Sequence, residues 1–144
     1  MAKPTFTLEI SPTVRFLIDE DNQSLSFINS AVGPSEGGAA ALCWSVIYGT
    51  YLYTSNAVTN TISSFKLDPA TGGIETLEEV SANTGVITFP TDMYIEDGRL
   101  YQLLAGNGYI LVYDIADDGS LWHLQTFDGD LPGAPPPHLS HPNW

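Results

Sequence analysis

Cys43-Trp44-Ser45-Val46-Ile47-Tyr48-Gly49-Thr50-Tyr51-Leu52-Tyr53-Thr54-Ser55-Asn56 and Pro90-Thr91-Asp92-Met93-Tyr94-Ile95-Glu96-Asp97-Gly98-Arg99-Leu100-Tyr101-Gln102-Leu103-Leu104 share one pattern. Each is an apolar strand, a tight glycine turn and a second strand opening on Leu-Tyr. The likeness continues from Ile62-Ser63-Ser64-Phe65-Lys66-Leu67-Asp68 into Ile110-Leu111-Val112-Tyr113-Asp114-Ile115-Ala116. It ends on Gly73-Ile74-Glu75-Thr76-Leu77 against Ser120-Leu121-Trp122-His123-Leu124. Tyr53 recurs as Tyr101 and Phe65 as Tyr113, both 48 residues on, and Leu77 recurs as Leu124, 47 on. A partial third copy lies upstream in Val14-Arg15-Phe16-Leu17-Ile18-Asp19 and Ser24-Leu25-Ser26-Phe27-Ile28, with Phe16 placed 49 residues before Phe65. A fixed period of this size marks a repeat architecture.

The units are built of strands. Thr61 to Leu67 alternates polar and apolar residues at period two, and Tyr109 to Ile115 is rich in aromatic and β-branched side chains. Turn formers separate them: Asp68-Pro69-Ala70-Thr71-Gly72-Gly73, Asp97-Gly98, Gly106-Asn107-Gly108 and Asp117-Asp118-Gly119. Nowhere does a dozen residues free of Gly and Pro carry apolar side chains at helical spacing. The reading is about eleven short strands, three in the first unit and four in each of the others. Four strands at a period near 45 is the signature of a propeller blade. The expected fold is therefore all-β: antiparallel four-stranded blades of a β-propeller, about three of them, forming a partial propeller. The units span about 5–32, 41–82 and 90–129 of a single domain at 1–131. Gly33-Pro34-Ser35-Glu36-Gly37-Gly38 reads as a flexible connection and 132–144 as a proline-rich tail.

Charge narrows the partners. In 144 residues there are 4 Lys plus Arg against 17 Asp plus Glu, a formal net charge of −13. Nucleic acid and anionic membrane surfaces both attract clustered Lys and Arg, so neither is expected as a partner. No run of 18 apolar residues is present to span a bilayer, and Met1-Ala2-Lys3-Pro4 lacks a signal peptide's apolar stretch. A soluble chain is expected, cytoplasmic or secreted with its signal removed; the compartment stays open. One cysteine, Cys43, excludes an internal disulfide framework.

Chemistry-bearing residues are few. Cys43 lacks a cationic neighbour to stabilise a thiolate and reads as a small buried hydrophobe at a strand start. His138 and His141 sit among prolines that forbid the helix such a spacing needs for metal binding. His123, between Trp122 and Leu124, reads as a half-buried strand residue. The carboxylates at Asp19-Glu20-Asp21-Asn22, Glu78-Glu79, Asp117-Asp118 and Asp128-Gly129-Asp130 read as turn residues; none completes a calcium loop. Gly106-Asn107-Gly108 is a hairpin turn with no helix behind it to hold phosphate. Asn22-Gln23-Ser24 is a glycosylation sequon, meaningful only in a protein secreted by a eukaryote. No cofactor and no metal site is expected.

Ala41 to Val46, Tyr51 to Ala57 and Asn60 to Phe65 closely resemble the lactonase-like seven-bladed β-propellers, the family of 6-phosphogluconolactonase-like proteins and carboxymuconate cyclases. The resemblance spans about 13–131. It weakens in the last unit, where Leu103-Leu104-Ala105-Gly106-Asn107 replaces the Thr-Asn of the repeat. Seven blades at this period need about 300 residues, so the resemblance covers two to three C-terminal blades. It implies a binding or structural module that completes its ring by self-association or with a partner propeller fragment, with a small-molecule ligand possible. The alternative is a lactone hydrolase or muconate cyclase whose site forms across chains at the ring axis. Lactone chemistry needs an acid–base group and a cation to hold the substrate's anionic group. Arg99 and His123 are the candidates offered, with Arg15 the other arginine, and no catalytic residue of the family maps onto them. Isolated blades leave apolar faces in water, with Trp44, Leu52, Phe65, Ile110 and Tyr113 expected at inter-blade contacts.

Overall fold

The computed structural model describes residues 4–8, 13–19, 24–31 and 42–128, and among them lie eleven strands and no helix. β1 (Pro4–Leu8), β2 (Thr13–Asp19) and β3 (Ser24–Ala31) form a three-stranded antiparallel sheet in that order. β4 (Leu42–Tyr48), β5 (Tyr51–Asn56), β6 (Thr61–Leu67) and β7 (Ile74–Asn83) form a four-stranded meander. β8 (Pro90–Glu96), β9 (Arg99–Leu104), β10 (Tyr109–Ile115) and β11 (Leu121–Phe127) form a second. The partial all-β propeller expected from the repeat is thus the fold, with three, four and four strands per blade. The connection at 33–38, the sequon at Asn22, Gly129-Asp130, and the tail with His138 and His141 lie outside the described residues.

Each four-stranded sheet leads with its inner strand, β4 or β8, and β8 packs against β4 and β5. β1 lies against β4 and β3 against β7. Since β2 is the repeat counterpart of β6, the first sheet supplies counterparts of β5, β6 and β7. Among the described residues it has none for the inner strands β4 and β8.

Two apolar layers hold the sheets. Leu52, Phe65, Leu67 and Ile74 are buried on the face of the middle sheet that turns away from β8–β11. Tyr53 and Ile62, from the opposite face, join Met93, Leu100, Leu104, Leu111 and Tyr113 of the last sheet. Period-two alternation produces this split, because Leu52 and Tyr53 are neighbours in sequence and point to opposite faces. Trp44 departs from expectation: it is 47% exposed, whereas Leu52 and Phe65 are fully covered. Register explains Cys43 as well. Leu42 pairs with Asn56 and Trp44 with Ser55, so Cys43 is the extra residue of a bulge. The thiol is exposed, not buried.

Glu78 and Glu79 fall in β7 and not in a turn. β7 is the outermost strand of its sheet, pairs with β6 through two register shifts and is exposed over most of its length. Charge on such an edge discourages pairing with another chain. At the sharp Asp97-Gly98 turn both residues have positive φ, 49° and 73°, the backbone of a two-residue hairpin.

One asparagine fixes the connection between the two four-stranded sheets. Asn60 has φ 57°. Its Oδ1 accepts hydrogen bonds from Thr88 N at 2.8 Å, Phe89 N at 3.0 Å and Thr88 Oγ1 at 3.0 Å. Its carbonyl accepts from Thr84 N and Thr84 Oγ1, both at 2.9 Å. These bonds hold Ile87 and Phe89 at φ 55° and 45°, conformations that bulky residues resist. Asn60→Gly keeps the backbone conformation and loses only the side-chain bonds, and should cost about 1–2 kcal/mol. Asn60→Ala adds backbone strain and should cost about 1 kcal/mol more. Urea unfolding of the two variants separates the contributions; equal costs would show that the conformation at Asn60 is unstrained.

Candidate functional site

Three alternate residues of β5 reach across to the last sheet and donate to its backbone. Tyr51 Oη donates to the carbonyl of Asp117 at 2.9 Å, Tyr53 Oη to that of Gly119 at 2.8 Å, and Ser55 Oγ to that of Thr91 at 2.6 Å. Gly119 has φ +85°, and a Cβ there would lie 2.5 Å from the Tyr51 ring, so only glycine lets the turn approach. Asp118, in the same turn, accepts from Ser120 Oγ at 2.6 Å and Ser120 N at 3.0 Å, which holds its carboxyl below the ordinary range. The Asp68 carboxylate also accepts hydrogen bonds within its own turn, from Ala70 N at 2.8 Å and Thr71 Oγ1 at 2.6 Å. These carboxylates shape turns.

Two clefts flank the last sheet. The first, about 480 Å³, runs between the two four-stranded sheets and is lined by Ser81, Asn83, Thr84, Leu111, Tyr113 and His123, among others. His123 is exposed rather than half-buried. Its ring stands edge-on to Tyr113 with centroids 5.6 Å apart, and its Nε2 lies 3.0 Å from Thr126 Oγ1. Hydroxyls, an amide and an imidazole on an apolar floor can bind a small neutral polar molecule. No Asp, Glu, Lys or Arg side chain lines it.

The second cleft, about 260 Å³, lies on the other face and is lined by Arg99, Tyr101, Val112, Leu124, Gln125 and Phe127. Val112 and Tyr113 are successive residues of β10, and they line opposite clefts. Arg99 and His123 therefore belong to opposite faces, and one chain does not bring them to a common substrate. Among the described residues, no three His, Cys, Asp or Glu side chains gather as metal ligands would.

The face carrying Arg99 repeats the face that Tyr53 occupies in the middle sheet. Arg99, Tyr101 and Ile110 stand where the previous blade has Tyr51, Tyr53 and Ile62, each 48 residues earlier. Tyr53 and Ile62 are fully covered by the last sheet. On the last sheet's own outer face, Tyr94 is 60% exposed, Trp122 66% and Phe127 48%, and Ile110 is half-buried. Tyr101, Ile110 and Tyr113 could be foreseen from the repeat. The tyrosine hydroxyl contacts and the Asn60 hub could not, because the tyrosines meet backbone carbonyls brought close only by blade stacking and Asn60 meets backbone and hydroxyl groups of a connection that carries no repeat pattern.

No protein-family profile and no curated protein sequence matches the chain. Solved structures do. A functionally unknown protein from Desulfotomaculum acetoxidans superposes with TM-score 0.68 at 18% identity, over 85% of this chain and 37% of that one. The periplasmic gluconolactonase of Pseudomonas aeruginosa superposes with TM-score 0.69 at 14% identity, over 90% of this chain and 39% of that one. A protein from Lactobacillus plantarum gives 0.70 at 17%, over 85% and 37%. The chain spans less than two-fifths of the length of each. At such identities the likeness concerns architecture alone, the arrangement of antiparallel blades described above.

Proposed function

We propose that the chain is a blade module of a lactonase-like propeller that completes its ring with blades from another chain, by self-association or through a partner propeller fragment, and is not catalytic alone. The observation that carries this is the outer face of the last sheet. Tyr94, Trp122 and Phe127 lie open there, around Tyr101 and Ile110, whose counterparts one blade earlier, Tyr53 and Ile62, are fully covered. Exposed aromatic surface of that kind marks an interaction site. The separation of Arg99 from His123 supports the second half of the reading, since lactone opening needs an acid–base group and an anion-holding cation at one substrate.

Light scattering on a sizing column at several concentrations, with a lactone panel that includes gluconolactone, tests both halves. A closed multiple of 15.6 kDa without turnover by the isolated chain is expected from self-association. A chain that stays at 15.6 kDa at every concentration removes self-association and leaves the partner fragment. Lactone turnover by that monomer removes the non-catalytic assignment.

A further inference from the structure

The joint between the two four-stranded sheets specifies what the open face can accept. There, the turn between the third and fourth strands of one blade, Asp117 to Gly119, seats on Tyr51 and Tyr53 of the blade before it. Tyr51 pairs in register with Tyr48 on one side and Lys66 on the other, so the corner that receives this acidic turn carries a cation and no carboxylate. The open face keeps the shape and inverts the charge. Arg99 takes the place of Tyr51, and its register partners are Glu96 and Asp114. Two carboxylates now flank one guanidinium, and Glu96, Arg99 and Asp114 are all exposed. The receiving corner is net negative.

Resting on the blade-module reading above, we propose that this face takes a blade from a different polypeptide, one whose turn between its third and fourth strands is cationic, and turns away a second copy of this chain. Stacking geometry seats that turn on Arg99 and Tyr101 as Asp117 to Gly119 seat on Tyr51 and Tyr53. Tyr101 supplies the hydroxyl at the position where Tyr53 donates to a carbonyl. Glu96 and Asp114 meet the incoming Lys or Arg. The first blade of a second copy would instead bring the connection between β2 and β3, whose sequence Asp19-Glu20-Asp21 sets three carboxylates against two. Like charges brought together at an interface are a strong barrier to association. The net charge of −13 adds to it at long range. Apolar area then supplies the attraction and the corner decides the partner.

The chain itself can serve as probe. In the triple variant Asp19→Lys, Glu20→Lys, Asp21→Lys, a second copy acquires the basic turn that the face requires. At low salt, sedimentation should show this variant associating about tenfold or more tightly than the wild type, with the difference shrinking toward 1 M salt as the charges are screened. Adding Glu96→Lys and Asp114→Lys to the triple variant should return it to the wild-type mass. Glu96 and Asp114 are exposed, and the melting temperature of each variant checks its fold. A wild type that associates as tightly as the triple variant overturns the proposal and leaves ring completion by self-association standing. If neither associates at any concentration, a basic turn is not what the face accepts and the proposal falls, while the partner-fragment form of the blade-module reading still stands.

Discussion

Tyr53→Ala should lower the unfolding free energy by about 3–5 kcal/mol, the range for truncating a buried aromatic side chain. The ring is fully buried among Ile62, Met93, Leu100, Leu104, Leu111 and Tyr113, and so belongs to both four-stranded sheets. Its hydroxyl also satisfies the Gly119 carbonyl. Tyr53→Phe separates the two contributions, since it keeps the ring and should cost about 1 kcal/mol for the lost hydrogen bond. Tyr94→Ala is the control. Tyr94 is 60% exposed on the open face, and its loss from the isolated chain should fall within about 0.5 kcal/mol. Chemical denaturation followed by tryptophan fluorescence and by circular dichroism reads all three. Coincident transitions in the wild type are expected, because one core spans both sheets. If Tyr53→Ala left the midpoint unchanged, the sheets would be folding independently and the joint would contribute nothing to stability.

The repeat made the blades legible because its information is local. Period-two alternation and Gly turns are written in Thr61 to Leu67 and in Asp97-Gly98, and they set strand boundaries without knowledge of tertiary contacts. The 48-residue spacing also foretold that Phe65 and Tyr113 would play one role: each packs toward the preceding blade, Phe65 with Leu52 and Tyr113 with Leu100. What failed to show was the effect of single-residue irregularities. A bulge at Leu42/Trp44 turned Cys43 outward, and no residue type in Ala41-Leu42-Cys43-Trp44 announces a bulge. Glu78-Glu79 read as a turn for their charge, whereas an outer strand tolerates charge because one of its sides faces solvent.

The candidate site was less legible for a related reason. Arg99 and His123 stood out by residue type, and type says nothing about which face of a sheet a side chain takes. Facing is decided by register. Arg99 pairs with Asp114, and His123 with Tyr113, one residue apart on β10, and that single step places them on opposite surfaces. The carboxylates around Arg99 could have been found by combining the turn at Asp97-Gly98 with the 48-residue spacing, since a two-residue hairpin sets Glu96 opposite Arg99.

The second large effect is alkaline loss of stability, and its sign follows from burial. Tyr113 is pushed up to about 12 by burial, from an ordinary value near 10. Tyr53 is raised further, first by burial and then by the neighbouring Tyr51, Asp118 and Tyr48. The folded chain thus holds both phenols protonated where the unfolded chain releases them. Their contribution is complete below about pH 10 and is lost as pH climbs toward about 12, at about 1.4 kcal/mol per pH unit for each tyrosine. Urea midpoints measured from pH 9 to 11.5 should be flat at first and then fall. In Tyr53→Phe the slope above pH 10 should be close to half that of the wild type, since only Tyr113 of the pair remains. Equal slopes in the two proteins would mean that Tyr53 ionises in the folded state without separating the sheets, and that its hydroxyl reaches water across the joint. A halved slope would make the Tyr53–Gly119 contact the point at which one blade lets go of the next.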